Sequence, residues 1–358
     1  MPPAAPPEPR GRRRNKRIGG VFINAGPGIA EVCAAAARIR GLVRRTPLLP
    51  AAPTRQHSGR ARGLLLKLEA LQVTGSFKPR GAINAALGLP SEKVRRGIVT
   101  ASGGNHGLAV AYAGYATSAP ATIFLPRSVS RYKRANIERW GARSVITGED
   151  WDDSNRAALQ FAAEEGFVYI HPFADPHVIA GQGTVALEIL DDAPDLDTLL
   201  VAVGGGGLIS GTAMAAKALK PVIRIIGVEP TGAPTLHASL AAGRLVELGH
   251  LDTAAVTLAP RRSESLNLAI VTQAVERIVL VEDHEMAAAA RWLWREMGVA
   301  AELGGAAAVA AILAGRYCPA AGERVCPVVC GAGTDGINRP HSRSRSIATS
   351  GASAGGIG

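Results

Sequence analysis

Two hydrophobic rhythms alternate along the chain. Short continuous apolar runs, each fit for a buried strand, occur at Gly97-Ile-Val-Thr-Ala101, Ala121-Thr-Ile-Phe-Leu125, Ser144-Val-Ile-Thr147, Phe167-Val-Tyr-Ile170, Leu199–Val203, Ile223–Val228, Arg277–Val281 and Val325–Cys330. Between them lie stretches of helical period: Ser130–Trp140, Trp151–Glu165, Val178–Leu190, a segment running to Leu219, an Asp283-capped helix ending near Gly298, and Glu302–Ala314. An earlier helix over Ile29–Arg40 is broken by a Thr46-Pro47 turn. Strand-helix alternation with continuously apolar strands predicts an α/β fold whose parallel sheets are covered on both faces. No internal repeat interrupts the pattern.

One junction stands out. The apolar run Gly63–Leu68 reads as a buried strand, followed by a polar turn at Thr74-Gly75-Ser76 and a helix entered through Phe77-Lys78-Pro79. Proline suits a first helical turn, where its missing N–H costs nothing. Lys78 therefore stands at a helix mouth just past a strand end, the place where α/β folds hold ligands. By itself it is as readily a solvated surface charge; beside Phe77 it is equally fit to be a desolvated amine able to form a Schiff base.

Composition narrows the picture without deciding it. The 358 residues are 47% hydrophobic, 19% charged and 4% aromatic, an Ala- and Gly-rich globular balance with room for one large or two modest domains. The net charge of +11 raises the question of nucleic acid, but its distribution answers it. Residues 1–17 carry six basic residues and one acid (+5), residues 337–358 three arginines and no acid (+3), and only +3 remains for 18–336. The basicity belongs to two tails, 1–20 and 337–358, expected to be disordered, so nucleic acid is not the expected partner. No apolar run is long enough to span a membrane, and the N-terminus has no apolar core of a signal peptide, though its Arg-rich composition leaves a transit-type leader open. Four cysteines without Cys-x-x-Cys spacing point to reduced thiols and a cytoplasmic location.

Three further motifs sit at strand ends. Gly204-Gly-Gly-Gly207-Leu208 follows a strand and opens a helix, so its backbone N–H groups and the helix terminus form an anion cradle suited to phosphate; a plain glycine-rich turn is an equal reading. Ser102-Gly103-Gly104-Asn105-His106 is a second strand-to-helix turn, with an amide that can both donate and accept, or simply an N-cap. Cys330 ends the last strand, where a small core residue is the ordinary reading.

Together these motifs resemble the fold-type II (tryptophan synthase β-like) pyridoxal-phosphate enzymes, and within them the serine/threonine dehydratase branch. The resemblance is carried by Gly75-Ser-Phe-Lys78-Pro-Arg-Gly-Ala82, Ser102-Gly-Gly-Asn-His106, Gly181-Gln-Gly-Thr184, Gly204-Gly-Gly-Gly-Leu208, Gly227-Val-Glu-Pro230 and Cys330-Gly-Ala-Gly-Thr-Asp335, and spans about Ile29 to Asp335. It implies that Lys78 carries pyridoxal 5'-phosphate as a Schiff base and serves as general base. Phe77 would pack against the cofactor ring, Asn105 would bond its 3-hydroxyl, and Gly204, Gly205, Gly206, Gly207 and Leu208 would hold its phosphate. Cys330, where Ser or Thr is usual, would face the pyridine nitrogen, a neutral partner that favours β-elimination over transamination. Glu302 matches an acidic residue near the cofactor. Ser102, Gly103, Gly104, Asn105 and His106 would grip the substrate carboxylate.

The departures carry information too. Racemases of the family place an acid/base serine where this chain has Gly103, so racemisation is not expected. The optional metal site pairs the Glu229 position with a carboxylate six residues on, here Thr235, so no metal is expected. Leu303 replaces a proline, and Thr257–Ser265 lacks the glycine- and Asp-bearing pattern that walls the site. No effector domain is expected after Cys330. The implied activity is dehydration and deamination of a hydroxyamino acid, L-threonine or L-serine, to a 2-oxo acid and ammonia by a homodimer; another β-elimination or β-replacement, or an impaired homologue, is the alternative. The expected domains are 21–94 with 174–336 (large, cofactor-binding) and 95–173 (small).

Overall fold

The computed structural model describes residues 26–51 and 63–337; the tail expected at 1–20 and, apart from Ile337, the one expected at 337–358 lie outside the described residues. The order is α1 (Ile29–Arg38), β1 (Leu48–Pro50), β2 (Leu65–Lys67), α2 (Lys78–Gly88), α3 (Ser91–Arg96), β3 (Ile98–Ala101), α4 (Asn105–Thr117), β4 (Ala121–Leu125), α5 (Arg131–Glu138), β5 (Arg143–Ile146) and α6 (Trp151–Glu165). There follow β6 (Val168–Tyr169), α7 (Pro176–Asp192), β7 (Thr198–Ala202), α8 (Gly207–Leu219), β8 (Arg224–Pro230), α9 (Thr235–Ala242), α10 (Ser265–Ala274), β9 (Arg277–Val281), α11 (Asp283–Met297), α12 (Leu303–Leu313) and β10 (Val325–Pro327).

Two four-stranded sheets result, ordered β10-β7-β8-β9 and β5-β4-β3-β6. All their pairings are parallel. The middle strands read as unbroken apolar runs because helices cover both faces: β4 and β7 are buried at every position. β1 and β2 form a small antiparallel pair, joined to the first sheet by bridges from Leu64 to Val325 and from Lys67 to Val328. The run Gly63–Leu68 is thus a three-residue strand, shorter than its apolar length suggests.

Glycines set how closely the helices around the site approach. A Cβ at Gly181 in α7 would lie 2.4 Å from the Arg80 carbonyl of α2, and one at Gly211 in α8 would lie 2.3 Å from the Ile179 carbonyl of α7. The Gly181-Gln-Gly-Thr184 motif is therefore a packing device: it lets α7 lie against α2 and α8 at once. That contact brings the N-termini of α2 and α8, with Lys78 and the glycine turn, into one neighbourhood.

Three helices, α3, α9 and α10, have no counterpart in the sequence expectations. α10 reads Ser-Leu-Asn-Leu-Ala-Ile-Val-Thr-Gln-Ala, with too little polar surface to give a one-sided stripe. The cap of α11 also differs. Glu282, not Asp283, is the N-cap, in a capping box with Glu285. Asp283 turns its carboxylate to Thr253 Oγ1 (2.5 Å) and the Ala254 N–H (2.6 Å), tying down the preceding loop.

Candidate active site

Lys78 is the first residue of α2, with Pro79 next to it in the first turn. Its Nζ donates to the Pro172 carbonyl at 2.8 Å, on the segment that leads from β6 to α7, and lies 5.2 Å from the centre of the Phe77 ring. Loss of hydration brings the amine down to about 8, with Glu302 offsetting part of the fall. The Phe77 N–H donates to the Cys330 carbonyl, which ties the start of α2 to the chain after β10.

The glycine turn after β7 is a concave cradle with no room for side chains. A Cβ at Gly205 would strike the Phe173 ring at 2.3 Å, one at Gly207 would meet Phe173 backbone and Cβ within 3.0 Å, and one at Gly204 would lie 3.2 Å from Leu258 Cα. Gly206 has φ +96°, a conformation that favours glycine. α8 begins at Gly207, so the N–H groups of its first turn lack intrahelical partners and are available to an anion.

Opposite stands the turn after β3. Ser102 Oγ accepts from the Gly104 N–H at 3.2 Å, and a Cβ at Gly107 would come within 1.9 Å of the Ser102 carbonyl, so the turn depends on that glycine. Asn105 opens α4 and donates its Nδ2 to Glu302 Oε1 at 2.9 Å. His106 points away from the turn: it is 4% exposed, and its Nε2 donates to the Ile170 carbonyl at 3.0 Å. Burial and the nearby Lys78 cation lower it to about 3. Its side chain is neutral, and its one N–H is taken, so it has no donor left for a carboxylate.

Glu302 is the N-cap of α12, but its carboxylate serves the site, accepting from Asn105 and from Thr257 Oγ1 (3.1 Å). Burial raises its pKa. With Leu303 in place of proline, the helix start has an extra N–H, which Asp335 Oδ2 accepts at 2.8 Å. Cys330 is buried and donates weakly to the Gly304 carbonyl at 3.5 Å. Burial pushes its thiol far up, so it is neutral.

Several participants are not singled out by the sequence motifs. Ser263 Oγ donates to the Gly205 carbonyl at 2.9 Å, and Asn267 Nδ2 donates to the Phe173 carbonyl and to Ser210 Oγ, both at 3.1 Å. They pin the cradle from behind. The stretch 257–265 does wall the site, through Thr257, Leu258 and Ser263 instead of the glycine and aspartate expected there. His171, Pro172 and Phe173 line the floor; their place just after a predicted strand was the available clue. Glu229 is fully buried, and both its oxygens accept N–H groups at the start of α9, from Leu236 and His237 at 2.8 Å. Thr235 Oγ1 donates to the Pro260 carbonyl. Among the described residues no group of three or more ligating side chains could hold a metal ion.

A desolvated lysine, a glycine turn open to an anion, an amide and a neutral thiol are thus brought together. Residues 39–331 match the family described as pyridoxal-phosphate dependent enzyme, and the chain belongs to that family. It is 39% identical over 297 residues to an L-threonine ammonia-lyase of Thermotoga maritima, covering 83% of this chain and 73% of that protein. It is 37% identical over 280 residues to a serine racemase of Arabidopsis thaliana (78% and 84%). The crystal structure of a T.th. threonine deaminase matches with a TM-score of 0.79 at 35% identity, over 86% of this chain and 98% of that one. The fold is that of the fold-type II enzymes, and the cofactor is pyridoxal 5'-phosphate. The residues present fit it: Gly205, Gly206 and Gly207 stand where a Cβ would come within 3.0 Å of a neighbour, and Lys78 has a carbonyl, not a carboxylate, for its hydrogen-bond partner.

Proposed function

We propose that this chain is a lyase that removes water and then ammonia from a hydroxyamino acid, L-threonine or L-serine, leaving a 2-oxo acid. The observation that carries the proposal is the state of Lys78. Its amine is held by a carbonyl at 2.8 Å and brought to about 8 by loss of hydration, so it can take up and release a proton near neutral pH. In this reading Lys78 would bear the cofactor and take the substrate α-proton, Gly204–Leu208 would hold the phosphate, Phe77 would pack on the ring, Asn105 would bond the 3-hydroxyl and Cys330 would serve the pyridine nitrogen. The Ser102–Asn105 turn takes the substrate carboxylate through backbone N–H groups. Bound pyridoxal phosphate supplies the electron sink for the pair left at the α-carbon. The Cβ–O bond breaks as the Cα–Cβ double bond forms, the departing hydroxyl takes up one proton in exchange for the one Lys78 removed and leaves as water, and water then cleaves the C–N bond, so the net release is ammonia.

Gly103 supports elimination over racemisation. It offers no side chain for a second base, and a Cβ there would already lie 3.0 Å from Val129 Cγ2. We read the chain as two units, 21–94 with 174–336 and 95–173, with the cofactor between them, working as a homodimer in the cytoplasm. An apolar patch at Leu71, Tyr115, Tyr132 and Trp140 supports the dimer, and four unpaired cysteines support the compartment; sedimentation of the loaded protein tests the former. The test of function is direct. With cofactor and no added nucleophile, L-threonine or L-serine should yield 2-oxo acid and ammonia in equal amounts, and Lys78→Ala should lose both this activity and the borohydride-reducible visible band of a lysine-bound cofactor. A strict need for an added nucleophile would move the chain to β-replacement.

A further inference from the structure

Two imidazoles stand beside Lys78, and they are used differently. His106 spends its N–H on the Ile170 carbonyl. His171 does the reverse: its Nδ1 accepts from the N–H groups of Phe173 (3.2 Å) and Ala174 (2.8 Å), closing the turn that leads into α7. An imidazole that accepts at Nδ1 must, when neutral, carry its proton at Nε2. Burial keeps it neutral by lowering its pKa to about 4. The ring is fixed edge-on against Phe173 (4.7 Å, 87°) and Tyr169 (6.2 Å, 70°). Among the described residues no acceptor meets Nε2–H, so the protein itself leaves this oriented donor unengaged.

Its surroundings say what it is for. The next residue, Pro172, holds the Lys78 amine, and the one after, Phe173, lies against Gly205 and Gly207 of the phosphate cradle. His171 thus belongs to the short segment that both holds the Lys78 amine and backs the cradle, on a different element from the turn proposed for the carboxylate. We infer that His171 is a substrate-binding residue whose Nε2–H donates to the β-hydroxyl of the amino acid, orienting the leaving group. No proton is transferred; the imidazole stays neutral and the hydroxyl oxygen accepts. The inference rests on the hydroxyamino-acid reading above.

Two variants separate this role from that of the turn. The amide oxygen of Asn can accept from residues two and three on, as Nδ1 does, while offering no donor at the Nε2 place; Gln places an N–H near Nε2 and gives up the turn acceptor. For His171→Asn we expect the borohydride-reducible band and melting temperature of wild type. We expect kcat/KM for L-serine and L-threonine to fall about ten- to a hundredfold, the loss of one hydrogen bond. β-Chloroalanine, whose chloride leaves without such help, should change less than about threefold on the same ground. His171→Gln should keep the wild-type preference for serine over β-chloroalanine even where its stability falls. An unchanged serine-to-chloroalanine ratio in His171→Asn, or a ratio lost equally in both variants, would overturn the inference. Wild-type protein that releases no ammonia from serine or threonine would instead overturn the functional reading.

Discussion

Two cations on one helix, two residues apart, have opposite fates. Arg80, on the second residue after Lys78, is fully buried and paired. Its Nε and Nη2 donate to Glu69 at 2.8 Å each, and Nη1 and Nη2 donate to Glu188 at 2.7 and 2.9 Å. Lys67 joins from β2, donating to Glu188 at 2.6 Å and to the Thr46 carbonyl at 2.8 Å. Burial alone would lower Arg80, but the two carboxylates outweigh it and hold the guanidinium above its ordinary range. Lys78 has lost much of its water as well, but its hydrogen-bond partner is a carbonyl, and its amine drops to about 8. The lesson is about compensation. A buried charge that is paired becomes scaffold, and one left with a dipole becomes reactive.

The largest effect should follow removal of the reactive member. Lys78→Ala is expected to lower turnover by about 10⁴-fold, the upper range for a positioned base, with the melting temperature held or raised because an uncompensated amine is gone. A melting temperature that fell as activity did would show Lys78 to be scaffold too. Next, Arg80→Ala leaves Glu69 buried without its partner and should cost about 3–5 kcal/mol, as for other broken buried pairs. Denaturant midpoints check it, and kcat per folded, cofactor-loaded molecule should stay within about threefold, since by the same reasoning the loss is in pairing, not chemistry. If Arg80→Ala lost activity and kept stability, the division of labour along α2 would be wrong.

This contrast was half legible in the sequence. Lys78 could be singled out because its neighbours Phe77 and Pro79 and the glycine and Asn105 turns are local signals at strand ends. The scaffold cluster had no such flag. Lys67 sits in an apolar run as if it were an ordinary edge residue, and its partner Glu188 lies 121 positions on. Asn105 and Glu302 meet across 197 positions, a single hydrogen bond between the starts of α4 and α12 that only the folded chain creates. Strands were legible because burial on both faces writes a continuous apolar run. α9 and α10 were missed because helices with little polar surface write no period. His106 shows the opposite failure: a motif residue whose backbone is at the site while its side chain serves the neighbouring sheet.

The comparison can be sharpened by pH. Lys78 has its ordinary value of 10.5 when unfolded and about 8 when folded, so between these limits the folded chain binds fewer protons. Stability of the cofactor-free protein should therefore rise from about pH 8 to about pH 10.5 and carry the full penalty of the charged amine below pH 8. Lys78→Met should remove that rise, so the difference between the two melting curves across this range isolates one residue. A wild-type curve parallel to the variant would mean that the amine is hydrated and unshifted.

The smallest expected effect is the most discriminating. Glu302 is the carboxylate that partly supports the Lys78 charge, yet burial raises its own pKa. Glu302→Gln keeps an oxygen for Asn105 Nδ2 and Thr257 Oγ1, so the hydrogen bonds at the site should survive and the fold should be unchanged. Only the charge is removed. If Glu302 is ionised at neutral pH, the lower edge of the Lys78-dependent stability rise should move to lower pH, by less than the whole Lys78→Met difference. If the edge stays where it is in wild type, Glu302 holds its own proton there and lends the amine no support. Either outcome fixes how far Lys78 departs from Arg80: the first leaves it weakly paired, the second leaves it the carbonyl of Pro172 and the Phe77 ring with no carboxylate.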